Sequence, residues 1–220
     1  PQHKPEGIAQ AFIIAEKFIE DSNVTLILGD NIFYGKNFIN LLKKTSQKNT
    51  STIFAYPVID PERYGVVEFN ELSKVISIEE KPKKPKSKYA ITGIYYYDNT
   101  VVEKAKSLRP SARGEIEISD INNLYLQEGK LDVELIGRGI AWLDTGTFDS
   151  LNQASNFIQT LESRQGLKIC CPEEIAWRKG WIKDSDLMLI SKSLDKSGYG
   201  EYLISLLNSY KNNKIYSNSK

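Results

Sequence analysis

Val24-Thr-Leu-Ile-Leu-Gly-Asp-Asn-Ile-Phe-Tyr-Gly35 decides how the rest of the chain is read. Val24 to Leu28 is a short apolar run rich in β-branched residues, which predicts a strand buried on both faces. Gly29-Asp30-Asn31 are turn formers and poor strand formers, so the strand is expected to stop there. A strand that ends in Gly-Asp presents a carboxylate at a sheet edge, and in open α/β sheets that edge is where ligands bind. Ile140-Ala-Trp-Leu-Asp-Thr-Gly146 is a second apolar run that stops at an aspartate, Asp144.

Working outward, the pattern predicts helices over 7–20, 37–48, 99–107, 117–127 and 147–164. Strands are expected over 52–58, 90–97 and 131–135, with a hairpin of 66–69 and 75–79 around the polar turn 70–74. Lys81 to Lys88, with two prolines and five lysines, reads as a loop. Short helices are expected over 172–179, 183–191 and 198–210. This alternation predicts an α/β fold with a Rossmann-like, open, mixed and mostly parallel sheet flanked by helices over 1–165. A small helical tail is expected over 166–220. The chain opens at Pro1 and runs directly into a helix that would normally follow a strand, the order expected of the later part of a longer protein.

Lys and Arg number 29 against 28 Asp and Glu, a net +1, which argues against a general nucleic-acid or membrane-surface binder. No apolar run approaches the ~18 residues of a membrane span. The two cysteines, Cys170 and Cys171, are adjacent and make neither a disulfide framework nor a zinc site, so a reducing cytoplasm is the expected compartment.

If Asp30 and Asp144 end two strands of one sheet, both carboxylates reach one edge. Such a pair suits Mg²⁺, which takes oxygen ligands and leaves room for phosphate oxygens. Each aspartate alone reads equally as a helix cap or turn. Glu79-Glu80-Lys81-Pro82 joins acids that can accept sugar hydroxyls to a lysine that can hold a phosphate. Arg63-Tyr64-Gly65 and Arg113-Gly114-Glu115 have the residue types that close on an anion, although each also reads as an ordinary loop. His3 is the only histidine, so no histidine-based nucleophilic arrangement can be built. A nucleophile that is already an anion needs no general base, only positioning and charge neutralisation.

In order along the chain stand Leu28-Gly-Asp-Asn-Ile-Phe-Tyr-Gly35, Asp60-Pro-Glu-Arg-Tyr-Gly-Val-Val67, Glu79-Glu-Lys-Pro82, Ser111-Ala-Arg-Gly-Glu115, Ala141-Trp-Leu-Asp-Thr-Gly146 and Cys171-Pro-Glu-Glu-Ile-Ala-Trp-Arg178. Together they resemble the glucose-1-phosphate thymidylyltransferase family, which begins dTDP-rhamnose synthesis, and the likeness runs from Gln2 to about Tyr202. The resemblance implies a nucleotide-diphospho-sugar transferase fold and Mg²⁺-dependent attack of glucose 1-phosphate on the α-phosphorus of dTTP. It places Asp30 and Asp144 at the metal and Gln2 and Gly7 at the thymine base. Tyr64, Gly65, Glu80 and Gly93 fall at the sugar, Lys81 and Arg113 at its phosphate, and Trp142 on the pocket wall. It further implies a tetramer inhibited by a dTDP-sugar end product. Arg138, Glu174, Ile175 and Arg178 are then expected at a regulatory site or subunit contact.

One family element has no match. The glycine-rich loop G-G-x-G-T-R-L-x-P that cradles the triphosphate does not occur, so these 220 residues by themselves are expected to be inactive. Two alternatives are a non-catalytic sugar-nucleotide-binding or regulatory subunit and a Mg²⁺-dependent glycosyltransferase of similar fold. The latter is disfavoured because Asp30 is followed by Asn31 rather than by a second aspartate.

Overall fold

The computed structural model describes residues 2–194 and 196–212. The chain forms two compact units, Pro1–Leu151 and Asn152–Lys220. In the first unit the strands are β1 (Val24–Ile27), β2 (Asn31–Gly35), β3 (Ser51–Pro57), β4 (Gly65–Phe69), β5 (Val75–Glu80), β6 (Tyr89–Tyr97), β7 (Leu131–Leu135) and β8 (Ile140–Asp144). The helices are α1 (Gln10–Ile14), α2 (Glu16–Ile19), α3 (Phe38–Thr45), α4 (Val101–Ser107) and α5 (Ile118–Gln127). α6 (Phe148–Gln165) carries the chain into the second unit, which holds α7 (Pro172–Arg178), α8 (Asp184–Ser193) and α9 (Gly198–Asn212).

The sheet corrects the expected mostly parallel architecture. Its order is β5-β4-β6-β3-β7, with β1 also paired to β6. Only β3 and β7 run parallel; β1–β6, β3–β6, β4–β5 and β4–β6 are antiparallel. The alternation of strands and helices predicts a parallel sheet, whose strands are covered on both faces. Here the antiparallel centre is covered on both faces too. Ile53, Ala55, Tyr95 and Tyr97 pack with Phe12, Val101, Ile121 and Tyr125 from α1, α4 and α5. The residues that alternate with them, Phe54 and Ile94, face the other way against Phe38 of α3 and Ile136, with Phe33 and Ile140 alongside.

β1 itself is one-sided. Val24 and Leu26 pack on the first of these clusters, whereas Ile27 is 60% exposed, so the strand at 24–28 is not buried on both faces as expected. The expected helix over 7–20 is broken at Ala15 into α1 and α2. β2, over residues for which the sequence predicts no strand, pairs only with β8, in a two-stranded ribbon separate from the main sheet.

The second unit has its own core. Leu187 of α8 and Leu203 and Leu207 of α9 are fully or almost fully buried, with Cys171 at the start of α7. No helix among the described residues is long and apolar enough to cross a membrane.

Candidate active site

The β2–β8 ribbon builds one wall of a cavity of about 520 Å³ in the first unit. Its register sets Asn31 opposite Asp144 and Phe33 opposite Trp142. Beyond the last pair, both the backbone N–H and the hydroxyl of Thr145 donate to the Asp30 carbonyl at 2.9 Å. Asp30 and Asp144 therefore line the same cavity. They meet through this antiparallel ribbon, not as the ends of two neighbouring strands in the main sheet, which was the expected geometry.

Asn31, not singled out from the sequence, ties the ribbon to the sheet. Its Oδ1 accepts from Gly93 N–H at 3.0 Å and from the Trp142 indole N–H at 2.6 Å, and its Nδ2 donates to Asp30 Oδ1 at 2.8 Å. Gly93 is glycine for a steric reason: a Cβ there would lie 2.6 Å from Asn31 Cγ. An Asn following an Asp in a turn carries no local sign of this role, because both Oδ1 partners are distant in sequence.

Asp144 is already well supplied with donors. Its Oδ2 accepts from Arg63 Nη2 at 3.1 Å and from the Tyr64 hydroxyl at 3.3 Å, and its Oδ1 accepts from Gly146 N–H at 3.2 Å. Burial, reinforced by the Asp144 charge, pushes the Tyr64 phenol up to about 12, so it is a donor at neutral pH. The Tyr64 and Trp142 rings lie 5.2 Å apart and make an aromatic wall.

The opposite wall comes from β4, β5 and α5. Gly65 pairs with Glu80 across the β4–β5 ladder. The Ser119 hydroxyl donates to Glu80 Oε2 in a short bond. A Cβ on Gly65 would lie 2.9 Å from that hydroxyl and 3.3 Å from Glu80 Oε2, so glycine keeps this corner open. Burial raises the Glu80 carboxyl above its usual range, against the pull of the Ser119 hydrogen bond. Lys81 follows with φ +42°, a left-handed backbone held by its N–H donating to Tyr64 C=O at 3.0 Å. Such strain in a non-glycine residue concentrates at functional sites.

Of the residues named from the sequence, Asp30, Tyr64, Gly65, Glu80, Lys81, Gly93, Trp142 and Asp144 line this one cavity. Arg113 stands behind Glu80, 3.6 Å from its Oε1, and is shared with Glu115 and Glu117 at 3.2 and 3.5 Å. Gln2 and Gly7 are not among the lining residues. Gln2 Nε2 donates to Gln10 Oε1 at 2.5 Å, and Gly7, at φ +102°, packs so closely on Ile116 that a Cβ would lie 2.4 Å from its carbonyl oxygen. Arg138 is exposed in the loop before β8. In the second unit, Glu174 accepts from Arg178 Nε at 2.7 Å and from the Tyr202 hydroxyl, and Ile175 is exposed.

No group of three or more His, Cys, Asp or Glu among the described residues is arranged to hold a metal ion. The two-aspartate set nevertheless suits a hard divalent cation that takes its other ligands from phosphate oxygens and water. Among the described residues, Asp30 Oδ1 accepts from the neutral Asn31 amide, whereas Asp144 carries the Arg63 charge.

The sequence model of the Nucleotidyl transferase family matches residues 1–160. Glucose-1-phosphate thymidylyltransferase of Neisseria meningitidis is 56% identical over 207 residues, covering 94% of this chain and 72% of that protein. The Mycobacterium tuberculosis protein of the same name is 53% identical over 206 residues, again covering 94% and 72%. A crystal structure from Bacillus anthracis, described as a glucose-1-phosphate thymidylyltransferase in complex with sucrose, superposes with a TM-score of 0.62 at 46% identity, over 71% of this chain and 62% of that one. A UDP-glucose pyrophosphorylase complexed with UDP-glucose gives a TM-score of 0.63 at 21% identity, over 72% of this chain and 64% of that one, a likeness of fold alone. The chain thus spans less than two thirds of each solved chain.

Proposed function

Because the chain belongs to the glucose-1-phosphate thymidylyltransferases of the nucleotidyl transferase family, we propose that its cavity binds glucose 1-phosphate for transfer of thymidylyl from dTTP. In that reaction a phosphate oxygen of glucose 1-phosphate bonds to the α-phosphorus of dTTP. The bond from that phosphorus to the leaving oxygen breaks, pyrophosphate departs, and dTDP-glucose forms. The attacking oxygen is already anionic, so no side chain has to remove a proton, which fits a cavity without histidine.

Each residue then has a task. Glu80, held by Ser119, accepts sugar hydroxyls. The Tyr64–Trp142 wall takes the apolar face of the ring. Gly65 and Gly93 leave room for close backbone approach. Lys81, aimed by its left-handed backbone, takes the sugar phosphate, and Arg113, paired with Glu80, is assigned to the same phosphate. Gln2 and Gly7 serve the thymine base. Asp30 and Asp144 would hold Mg²⁺, which when bound neutralises charge on the phosphoryl oxygens. Glu174, Ile175 and Arg178, with Arg138, are assigned to control by a dTDP-sugar end product or to contacts between copies in a homo-oligomer.

The observation that carries this reading is the convergence of Asp30, Asp144, Tyr64, Glu80 and Lys81 on one cavity. Calorimetric titration of glucose 1-phosphate with Mg²⁺ tests it. Saturable binding is expected, weakened in Glu80→Ala by about 1.5–3 kcal/mol, the range for hydrogen bonds to a charged group. Equal affinity in wild type and Glu80→Ala would remove Glu80 from the sugar site.

A further inference from the structure

Arg63 bridges two carboxylates. Its Nη1 donates to Asp60 Oδ2 at 2.9 Å and its Nη2 to Asp144 Oδ2 at 3.1 Å. The first contact is local: Asp60 directly precedes the 3₁₀ turn Pro61–Arg63, and Arg63 N–H also bonds to the Asp60 carbonyl. The second reaches across the cavity wall to the end of β8. The guanidinium carbon sits 5.2 Å from the centre of the Tyr64 ring, and Arg63 lines the cavity.

Arg63 and the Tyr64 hydroxyl both donate to Oδ2 of Asp144, which fills that oxygen, while Gly146 N–H is on Oδ1. A divalent cation that binds through Oδ2 has to displace a donor. Of the two, only the guanidinium carries positive charge, so a cation both replaces and repels it. Released from Asp144, the Arg63 head stays at the cavity because Asp60 still holds Nη1. Its vacated Nη2 then faces the space where an anionic substrate group sits, and guanidinium pairs with phosphate oxygens by charge-assisted hydrogen bonds.

We propose that Arg63 is an exchangeable counter-ion, which caps Asp144 in the cation-free protein and passes to a phosphate oxygen of the substrate when a divalent cation takes Asp144. This rests on reading Asp30 and Asp144 as the cation site. It makes the binding of cation and sugar phosphate mutually reinforcing, because the phosphate removes the guanidinium that competes with the cation.

Mn²⁺ binding to the 220-residue chain, followed by electron paramagnetic resonance with and without glucose 1-phosphate, tests the exchange. Arg63→Gln is expected to bind Mn²⁺ alone severalfold more tightly than wild type. The tightening that glucose 1-phosphate brings to Mn²⁺ binding is expected to shrink severalfold in the same variant. Unchanged or weaker binding of Mn²⁺ alone by Arg63→Gln, or an undiminished effect of the sugar phosphate, overturns the inference. Asp144→Asn separates the two ideas: if it binds Mn²⁺ as wild type does, the cation reading falls and the inference with it. If Asp144→Asn weakens Mn²⁺ binding and Arg63→Gln does not tighten it, only the inference falls. Should Arg63→Gln not fold, Arg63→Lys serves in its place, since an ammonium keeps the charge but cannot span Asp60 and Asp144 together; it should bind Mn²⁺ alone more tightly than wild type and show a smaller sugar-phosphate effect, and wild-type values for both overturn the inference.

Discussion

At Glu80 the surroundings oppose the charged form of the side chain. Burial raises the carboxyl, and only the Ser119 hydroxyl and the more distant Lys81 and Arg113 charges offset it. The sign of the linkage follows. The folded protein holds the Glu80 proton more tightly than the unfolded chain does, so stability falls as pH rises from the ordinary carboxylate range to the folded value. At neutral pH the whole penalty is present. Glu80→Gln keeps a partner for Ser119 and removes the charge. It should melt above wild type at pH 7, and the gap should close as pH falls through the ordinary carboxylate range. Each ~1 kcal/mol corresponds to about 2–4 °C in a chain of this size. A wild type that melts higher at pH 7 would show that desolvation does not dominate at this residue. At this scale much of the cavity was legible, because Asp30, Glu80, Lys81 and Asp144 belong to short runs whose chemistry is local. Ser119 and Asn31 were not. A serine in the first turn of a helix and an asparagine in a turn are common, and their roles appear only once Glu80, Gly93 and Trp142 are beside them.

Among the elements, the β2–β8 ribbon matters most for the site and was the least visible in advance. Asn31 to Gly35 follows directly on turn residues, and its partner strand lies at 140–144. Strands with local partners, such as the β4–β5 hairpin, were predicted almost residue for residue, whereas β2 had no partner within reach of a sequence window. The ribbon is joined to the sheet through Asn31 and Gly93, and the tightness of that joint can be measured. Gly93→Ala drives a Cβ into the Asn31 amide and should cost about 1–3 kcal/mol in urea unfolding, the range for leaving buried hydrogen-bonding groups unsatisfied. In an Asn31→Ala background the added methyl meets no amide, so the same substitution should cost at least about 1 kcal/mol less. Additivity to within about 0.5 kcal/mol would mean that the two residues do not act as one unit.

Over the whole molecule, the sequence conveyed the alternation of strands and helices but not the direction of the strands. Apolar runs separated by helical patterns point to α/β, yet they do not distinguish a parallel strand from an antiparallel one that is equally covered on both faces, as β3 and β6 are. The short helices α7, α8 and α9 fall close to the ranges the sequence predicts, and the core of the second unit stands on a few leucines. Leu203→Ala, at a fully buried position of α9, should lower the opening free energy of α8 and α9 by about 2–5 kcal/mol in native-state hydrogen exchange. A loss below about 1 kcal/mol would mean that this core collapses around the missing side chain or is loosely packed. The ribbon has a consequence in time as well. Trp142 and Thr145 reach back 111 and 115 residues to Asn31 and Asp30. At ribosomal rates of about 5–20 residues per second, on the order of ten seconds separate the synthesis of the two strands. Throughout that interval β2 has no partner strand and Asp30 no neighbouring Asp144, so a nascent chain stalled before Ile140 holds all six strands of the main sheet and lacks the ribbon wall of the cavity. Closure of the cavity waits for the last strand of the first unit, and this pairing is the one most delayed by long-range loop closure.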